Sequence, residues 1–181
     1  SWLNWMFDID VLERTAWIAS PAHGDRHFFK DLDSRATIRM NSPWGNQTQL
    51  RAGIWFRIQG SITSFELSFR AYHVIIRTGV RSLELEQLSR KSFLGGLVFK
   101  TLAFVPLDPG ASTETFDLRV IAVGCRIEVF LDGVSKLRYA DCAETAEKPW
   151  WGLAGIDATS GCGEAVTFTS WSITNATSEL E

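Results

Sequence analysis

The chain has 181 residues and carries 18 Lys and Arg against 21 Asp and Glu, so its net charge is only −3. This balance argues against bulk electrostatic binding of nucleic acid or an anionic membrane, and we expect neither as a partner. Apolar residues make up 45%, and no apolar run reaches the roughly 20 residues that cross a bilayer; this composition excludes disordered and membrane-spanning classes and predicts a single domain over 1–181.

The first strong pattern along the chain is an alternation of apolar and polar residues. Before it, residues 9–18 fit a strand or a short helix equally well. Even-numbered positions are apolar within 51–58 and odd-numbered positions within 65–70, so both segments are predicted to be strands with one face in a core. The residues between them include Gly60 and suit a hairpin loop.

Three more strands are predicted further along, at 72–77, 81–88 and 97–105. The second is ambiguous because the spacing of its leucines also suits a short helix. The third is ended by a proline and by the turn-forming residues Asp108-Pro109-Gly110.

The clearest prediction is a β-hairpin within 115–131, with a two-residue turn at Gly124-Cys125. A register one residue off would place charged side chains in the core, so the apolar pattern supports a single pairing. That pairing joins three apolar pairs: Ala122 with Ile127, Val120 with Val129, and Leu118 with Leu131.

Beyond this hairpin, simple pairing across the turn at 132–133 would put Lys136 and Arg138 on the core face. We therefore expect a bulge, a longer loop or an edge strand there. The last predicted strand is 165–173, whose apolar positions break strict alternation and again indicate a bulge. Many strands with short turns predict an antiparallel sandwich or barrel.

The cysteines and the N-glycosylation sequons indicate whether the protein is secreted or intracellular. The 20-residue separation of Cys142 and Cys162 allows a bridge, which would leave Cys125 free. Two N-glycosylation sequons, beginning at Asn46 and Asn175, favour a secreted glycoprotein. The odd cysteine keeps an intracellular location open as the alternative.

Three stretches of the second half resemble a known superfamily. They are T-F-D-L-R-V-I-A-V-G-C-R-I-E-V-F-L-D-G at 115–133, W-G-L-A-G at 151–155 and V-T-F-T-S-W-S-I at 166–173. The order of strand, tight turn, strand ending in Asp-Gly, G-L-x-G strand and closing strand resembles a concanavalin A-like, laminin-G-like jelly roll. Residues 53–57 and 72–77 are similar to its middle strands. Within this superfamily, the chain resembles the sandwich module attached to exo-fructosidases and other secreted polysaccharide-degrading enzymes.

The resemblance covers roughly 50–175 and leaves 1–45 poorly matched. It implies an all-β fold, an antiparallel two-sheet β-sandwich of the concanavalin A-like jelly-roll type. It also implies that ligands bind, or are cleaved, on the concave sheet or on the loops at its rim. The fold class often holds calcium, so calcium is possible, and no other cofactor or metal is expected.

The predicted ligand site is a sheet face with loop tryptophans beside it. Alternation puts Trp55, Arg57, Glu66 and Arg70 on one side of adjacent strands, and a sugar needs a ring to stack on and groups that grip vicinal hydroxyls. Arg77 and Glu84 extend this face, whereas His73 could instead point inward. A solvated face of cross-strand Arg–Glu pairs is the competing interpretation. The candidate ligand-binding residues are Trp55, Arg57, Glu66, Arg70, Arg77, Trp44, Trp150 and Trp151.

These features predict a carbohydrate-binding β-sandwich module that holds glycan by Trp stacking and Arg/Glu hydrogen bonds. The alternative is a stand-alone enzyme, a lyase, hydrolase or small-molecule cyclase or isomerase, acting in an aromatic-lined concave pocket. Its candidate catalytic bases are His23, His27 and His73. A third interpretation is an interaction domain with calcium at its rim. The partner is therefore a carbohydrate or a small molecule, and the oligomeric state stays open.

Overall fold

A computed structural model of the chain describes residues 15–19, 29–41, 50–62, 67–90, 98–108, 113–140, 142, 152–159 and 166–176. Within these ranges the backbone forms eleven strands. They are β1 (Thr15–Ala19), β2 (Leu32–Asn41), β3 (Arg51–Ile62), β4 (Leu67–Arg77), β5 (Ser82–Arg90), β6 (Val98–Pro106), β7 (Thr113–Val123), β8 (Arg126–Leu131), β9 (Val134–Ala140), β10 (Leu153–Thr159) and β11 (Val166–Asn175).

The strands form two antiparallel sheets. The six-stranded sheet has the order β1-β10-β3-β4-β5-β6, and the five-stranded sheet has the order β11-β2-β7-β8-β9. One face of each sheet supplies alternate residues to a shared apolar core, as alternation predicts for strands with one buried side. The predicted fold class, an antiparallel two-sheet jelly-roll β-sandwich, is confirmed.

The core comes from the central strands of both sheets. Its side chains are almost inaccessible to water, and burying each large one contributes about 1.5–3 kcal/mol relative to leaving it exposed. The residues on these strands are Ala52, Ile54, Phe56, Tyr72, Val74, Ile76, Leu83 and Leu85 from the six-stranded sheet, and Ala36, Ile38, Met40, Phe116, Leu118, Val120 and Ala122 from the five-stranded sheet.

The β7–β8 hairpin has the predicted register, with all three apolar pairs opposite one another. Gly124 in its turn has φ 51°, a conformation that glycine adopts without steric cost. The expected irregularity after β8 is also present, because the β8–β9 register shifts between Val129 and Phe130 and β9 is an edge strand. Lys136 and Arg138 are exposed, as this shift requires. The bulge expected in the last strand lies between Phe168 and Ser170.

Several strand boundaries differ from the predictions. The segments 65–70 and 72–77 do not form two strands, because β4 runs unbroken from Leu67 to Arg77. β3 continues through part of the predicted loop, and β5 is a strand rather than a helix. β2 had no prediction, since Ser34 interrupts its apolar face; this buried hydroxyl donates to Ser172 O and accepts from Trp171 Nε1.

The disulfide differs from the pairing considered from the sequence. Cys125 bonds to Cys142, with 4.9 Å between the Cα atoms. Cys125 is therefore not the free cysteine. The bridge ties the β7–β8 turn to a residue just beyond β9, because β8 and β9 form a hairpin that returns the chain to that turn. Cys162 lies outside the described residues.

Candidate functional site

Ionisable side chains gather on the outer face of the six-stranded sheet, the side turned away from the core. Because Tyr72, Val74 and Ile76 face the core, His73 and Arg77 of β4 point outward. The β4–β5 register places Glu86 directly opposite His73. The β3 register places Trp55 opposite His73, and β10 adds Asp157 one strand further on. His73 thus lies on the outer face, and not inward.

His73 is the centre of this group. Its ring stacks on Trp55 with the centroids 4.0 Å apart and the planes 7° from parallel. Its Nε2 lies 2.8 Å from Asp157 Oδ1, and its Nδ1 lies 3.8 Å from Glu86 Oε2. All four residues are at least 95% buried. Both ring nitrogens therefore face carboxylates inside a region that excludes water.

Gly53 makes the contact between His73 and Asp157 possible. It occupies the position on β3 that lies between β4 and β10. A Cβ at this position would lie 2.5 Å from His73 Nε2 and 2.3 Å from Val74 O, closer than real Cβ atoms approach. Only glycine leaves room for the imidazole to cross β3 and reach the carboxylate.

Arg77 continues the group toward the surface. Its Nη2 donates to Glu86 Oε1 at 2.7 Å, and its Nε lies 3.2 Å from Glu84 Oε2. The Arg77 side chain is 20% exposed and that of Glu84 13%, whereas Glu86 is buried. Ser82 also donates to Glu84. The contacts thus form an ionic chain, Asp157–His73–Glu86–Arg77–Glu84, that runs from a buried end to a partly exposed end.

The charges in the ionic chain shift one another's proton affinities. Burial, the largest influence, lowers the pKa of His73, but attraction to Asp157 and Glu86 outweighs it and raises the pKa above its ordinary value. Burial pushes the pKa of Glu86 upward, but His73 and Arg77 outweigh it and lower the pKa. Both shifts favour a charged imidazolium beside an ionised Glu86.

An exposed aromatic residue that was not among the predicted binding residues lies beside the outer end of the ionic chain. Phe104 on β6 pairs in register with Glu84, and its side chain is 59% exposed. Opposed residues of antiparallel strands have Cβ atoms about 4.5–5.5 Å apart, so this ring borders the Arg77–Glu84 pair. No sequence pattern marks Phe104 as exposed, because the edge position of β6 is decided by the strand order of the sheet. We call this region the Arg77–Glu84–Phe104 surface.

The other predicted binding residues are placed differently. Trp55 lies on the outer face as expected, but its ring is buried against His73. Arg70 donates to the Tyr72 hydroxyl at 3.1 Å and shares the core side of β4 with it. The expectation that Arg70 faces outward is wrong, because β4 is one regular strand and its even-numbered residues point inward.

Arg57 also leaves the predicted face. The β3–β4 register shifts between Phe56 and Gln59, and Arg57 within this bulge has φ 51°. Its buried guanidinium points to the other sheet, where Nη2 donates to Gly124 O at 2.8 Å. The alternation rule fails here because the extra residue of a bulge breaks the period of two. Arg57 ties the two sheets together and does not border the Arg77–Glu84–Phe104 surface.

Six predicted residues have no structural description. They lie outside the described residues, and are Trp44, Glu66, Trp150 and Trp151 among the binding candidates and His23 and His27 among the catalytic candidates. Of the residues that are described, no group of three His, Cys, Asp or Glu side chains could hold a metal ion. In the same part of the chain, no helix is long and apolar enough to span a membrane.

Known structures resemble this sandwich. A carbohydrate-binding module, CBM66 from Bacillus subtilis, matches with a TM-score of 0.60 at 15% identity, over 88% of this chain and 81% of that one. A Bacillus subtilis protein of unknown function with a galectin-like fold matches with a TM-score of 0.61 at 12% identity, over 89% and 77%. Sheep galectin-11, solved with glycerol, matches with a TM-score of 0.52 at 10% identity, over 90% and 97%.

These likenesses show the fold of the chain, a jelly-roll β-sandwich. At 10–15% identity they show the fold alone. No family model matches the chain, and no curated protein matches it by sequence.

Proposed function

We propose that this chain is a carbohydrate-binding β-sandwich domain that holds glycan at the Arg77–Glu84–Phe104 surface. The observation that carries the proposal is a partly exposed Arg–Glu pair beside an exposed aromatic ring on one sheet face. Sugars present vicinal hydroxyls and an apolar C–H face. A guanidinium and a carboxylate bond the hydroxyls, and an aromatic ring packs against the C–H face.

The ionic chain prepares this surface for binding. Arg77 Nη2 donates to Glu86 Oε1 at 2.7 Å from the buried side. The guanidinium is therefore oriented before a ligand binds. A preorganised side chain loses less conformational entropy on binding than a free one. Glu84 is similarly held by Ser82. Trp55 contributes indirectly in this proposal, since its ring packs on His73.

The structural neighbours support a sugar ligand. One is described as a carbohydrate-binding module and another is a galectin. The sequence resemblance to modules of exo-fructosidases makes fructose-containing oligosaccharides the first class to test within a wider glycan set. The same resemblance is to modules of secreted enzymes. We therefore also propose that the protein is secreted and glycosylated.

The alternative function is acid–base catalysis by His73. A buried imidazole oriented by a carboxylate is the arrangement of a general base, and His73 with Asp157 has that geometry. However, Nε2 contacts Asp157 and Nδ1 faces Glu86, so each ring nitrogen already has a carboxylate partner. This arrangement favours a supporting role for His73. Release of reducing sugar from a bound glycan would favour the enzyme instead.

The test is binding of the purified chain to a glycan array, followed by calorimetry on the glycans that bind. We expect Phe104→Ala to weaken binding about fivefold, which corresponds to about 1 kcal/mol of lost stacking. Val134→Ala is the matched control, because Val134 is similarly exposed but lies on β9 of the other sheet. Absence of binding by the unaltered chain, or equal affinity in Phe104→Ala, would overturn the proposal.

A further inference from the structure

His73 is connected to the Arg77–Glu84–Phe104 surface through a single residue. Glu86 contacts His73 with one carboxylate oxygen and Arg77 with the other, at 3.8 and 2.7 Å. Glu86 is 3% exposed, and its Oε2 has no hydrogen-bond donor among the described residues. Among the described residues, the charge of His73 is therefore the nearest compensation for that oxygen, which is buried from water.

The charge balance of the ionic chain depends on the His73 proton. With His73 charged, three carboxylates face two cations. With His73 neutral, Arg77 is the one cation left in the ionic chain, and it contacts Glu86 and Glu84 but not Asp157. Two of these, Asp157 and Glu86, are nearly fully buried. An uncompensated buried charge is strongly unfavourable, so the contacts must change when the proton leaves.

The groups that face His73 come from each neighbouring strand. β10 contributes Asp157, β5 contributes Glu86, and its own strand contributes Arg77 through Glu86. From β3 the neighbours are Trp55 and Gly53, which do not titrate. Among the described residues these are the charges that decide the protonation of His73.

We propose that charged His73 is the positioning residue of the Arg77–Glu84–Phe104 surface, and that loss of its proton weakens ligand binding there. When His73 becomes neutral, Arg77 is the remaining cation of the ionic chain and is drawn toward the buried Glu86, away from the ligand. The surface therefore binds glycan at mildly acidic pH and releases it as the pH rises. This inference rests on the proposed function.

The first measurement needs no ligand. The Nε–Hε signal of Arg77 and the ring signals of His73 are followed by NMR between about pH 5 and about pH 9.5, a range that spans the ordinary histidine pKa of about 6.5. We expect the Arg77 signal to change with the same midpoint as His73. The proposal would be overturned if the His73 ring did not titrate in this range. It would also be overturned if the Arg77 signal did not change as His73 titrated.

Two variants test the connection. Glu86→Gln keeps the shape of the side chain and removes the charge between His73 and Arg77, so His73 should still titrate while the Arg77 signal no longer follows. His73→Gln should abolish the pH response altogether. Glu128→Gln is the control, because Glu128 pairs with Arg138 on the five-stranded sheet and is not part of the ionic chain. An Arg77 response that persists in Glu86→Gln contradicts the proposed route.

The second measurement separates this inference from the proposed function. The glycan array is read at about pH 6 and about pH 9, two values within the range of the NMR titration. We expect binding to fall about fivefold or more at the higher pH, the lower end of typical coupling between sites. Equal binding at both pH values overturns the inference and leaves the proposed function standing. No binding at either pH overturns the proposed function, and the NMR titration still decides the coupling.

Discussion

Asp157→Asn tests the ion pair at the buried end of the ionic chain. The change removes one charge and keeps the size of the side chain. Asp157 and His73 are 5% and 2% exposed and lie 2.8 Å apart, so solvent screens their attraction little. Removing one partner of a buried pair typically costs about 3–5 kcal/mol. We expect the lower end, since the amide oxygen of the substituted side chain can still accept a hydrogen bond from His73.

A loss of about 3 kcal/mol corresponds to a fall in Tm of about 6–12 °C for a chain of this size. It should also depend on pH. The folded state raises the pKa of His73, so the stabilisation from its proton is complete below the unfolded pKa near 6.5 and disappears as the pH rises through the folded pKa. The difference between wild type and variant should therefore be larger at about pH 6 than at about pH 9.

The assay is urea unfolding of both proteins at the two pH values. Asp33→Asn is the control, because Asp33 pairs with Arg119 on the five-stranded sheet and their side chains are 25% and 43% exposed. Pairs of that kind contribute about 0–1 kcal/mol, with little change over this pH range. If Asp157→Asn cost no more than the control, or the same at both pH values, a charged His73 paired with Asp157 would be refuted.

Three further changes test the fold. Reduction of the Cys125–Cys142 bridge, which spans 17 residues, should cost about 3 kcal/mol in thermal unfolding with and without reductant, and an unchanged Tm would contradict this. Gly53→Ala should cost about 3 kcal/mol or more in urea unfolding, because its Cβ would displace His73 from its partner. Gly133→Ala faces open space but needs φ 77°, so about 1 kcal/mol is expected, and equal costs for the two glycines would show that the close approach at Gly53 is misjudged.

Much of the sandwich could be predicted from patterns of neighbouring residues. The β7–β8 hairpin could be predicted to the residue pair, because its turn and its apolar alternation both lie within one short segment. The irregularity of β9 followed from the charges of Lys136 and Arg138, which cannot enter an apolar core. In these cases the physical cause is contained in neighbouring residues.

Alternation failed where the backbone departs from a regular strand. The bulge in β3 turns Arg57 toward the other sheet. An alternating pattern of apolar and polar residues does not show where a strand contains an extra residue. Ser34 lies in the core because Trp171 and Ser172, far along the chain, satisfy its hydroxyl. The disulfide was misjudged for a similar reason, since the β8–β9 hairpin decides which cysteines meet.

The class of fold, the faces of most strands and the outward placement of Arg77 and Glu84 could all be predicted from the order of residues along the chain. The ionic chain could not, because its members meet only when the sheets are assembled. Asp157 meets His73 across 84 residues of sequence, and it does so because Gly53 on the intervening strand has no side chain. Burial, which gives these charges their strength, is a property of the packed sheets and is absent from any single segment.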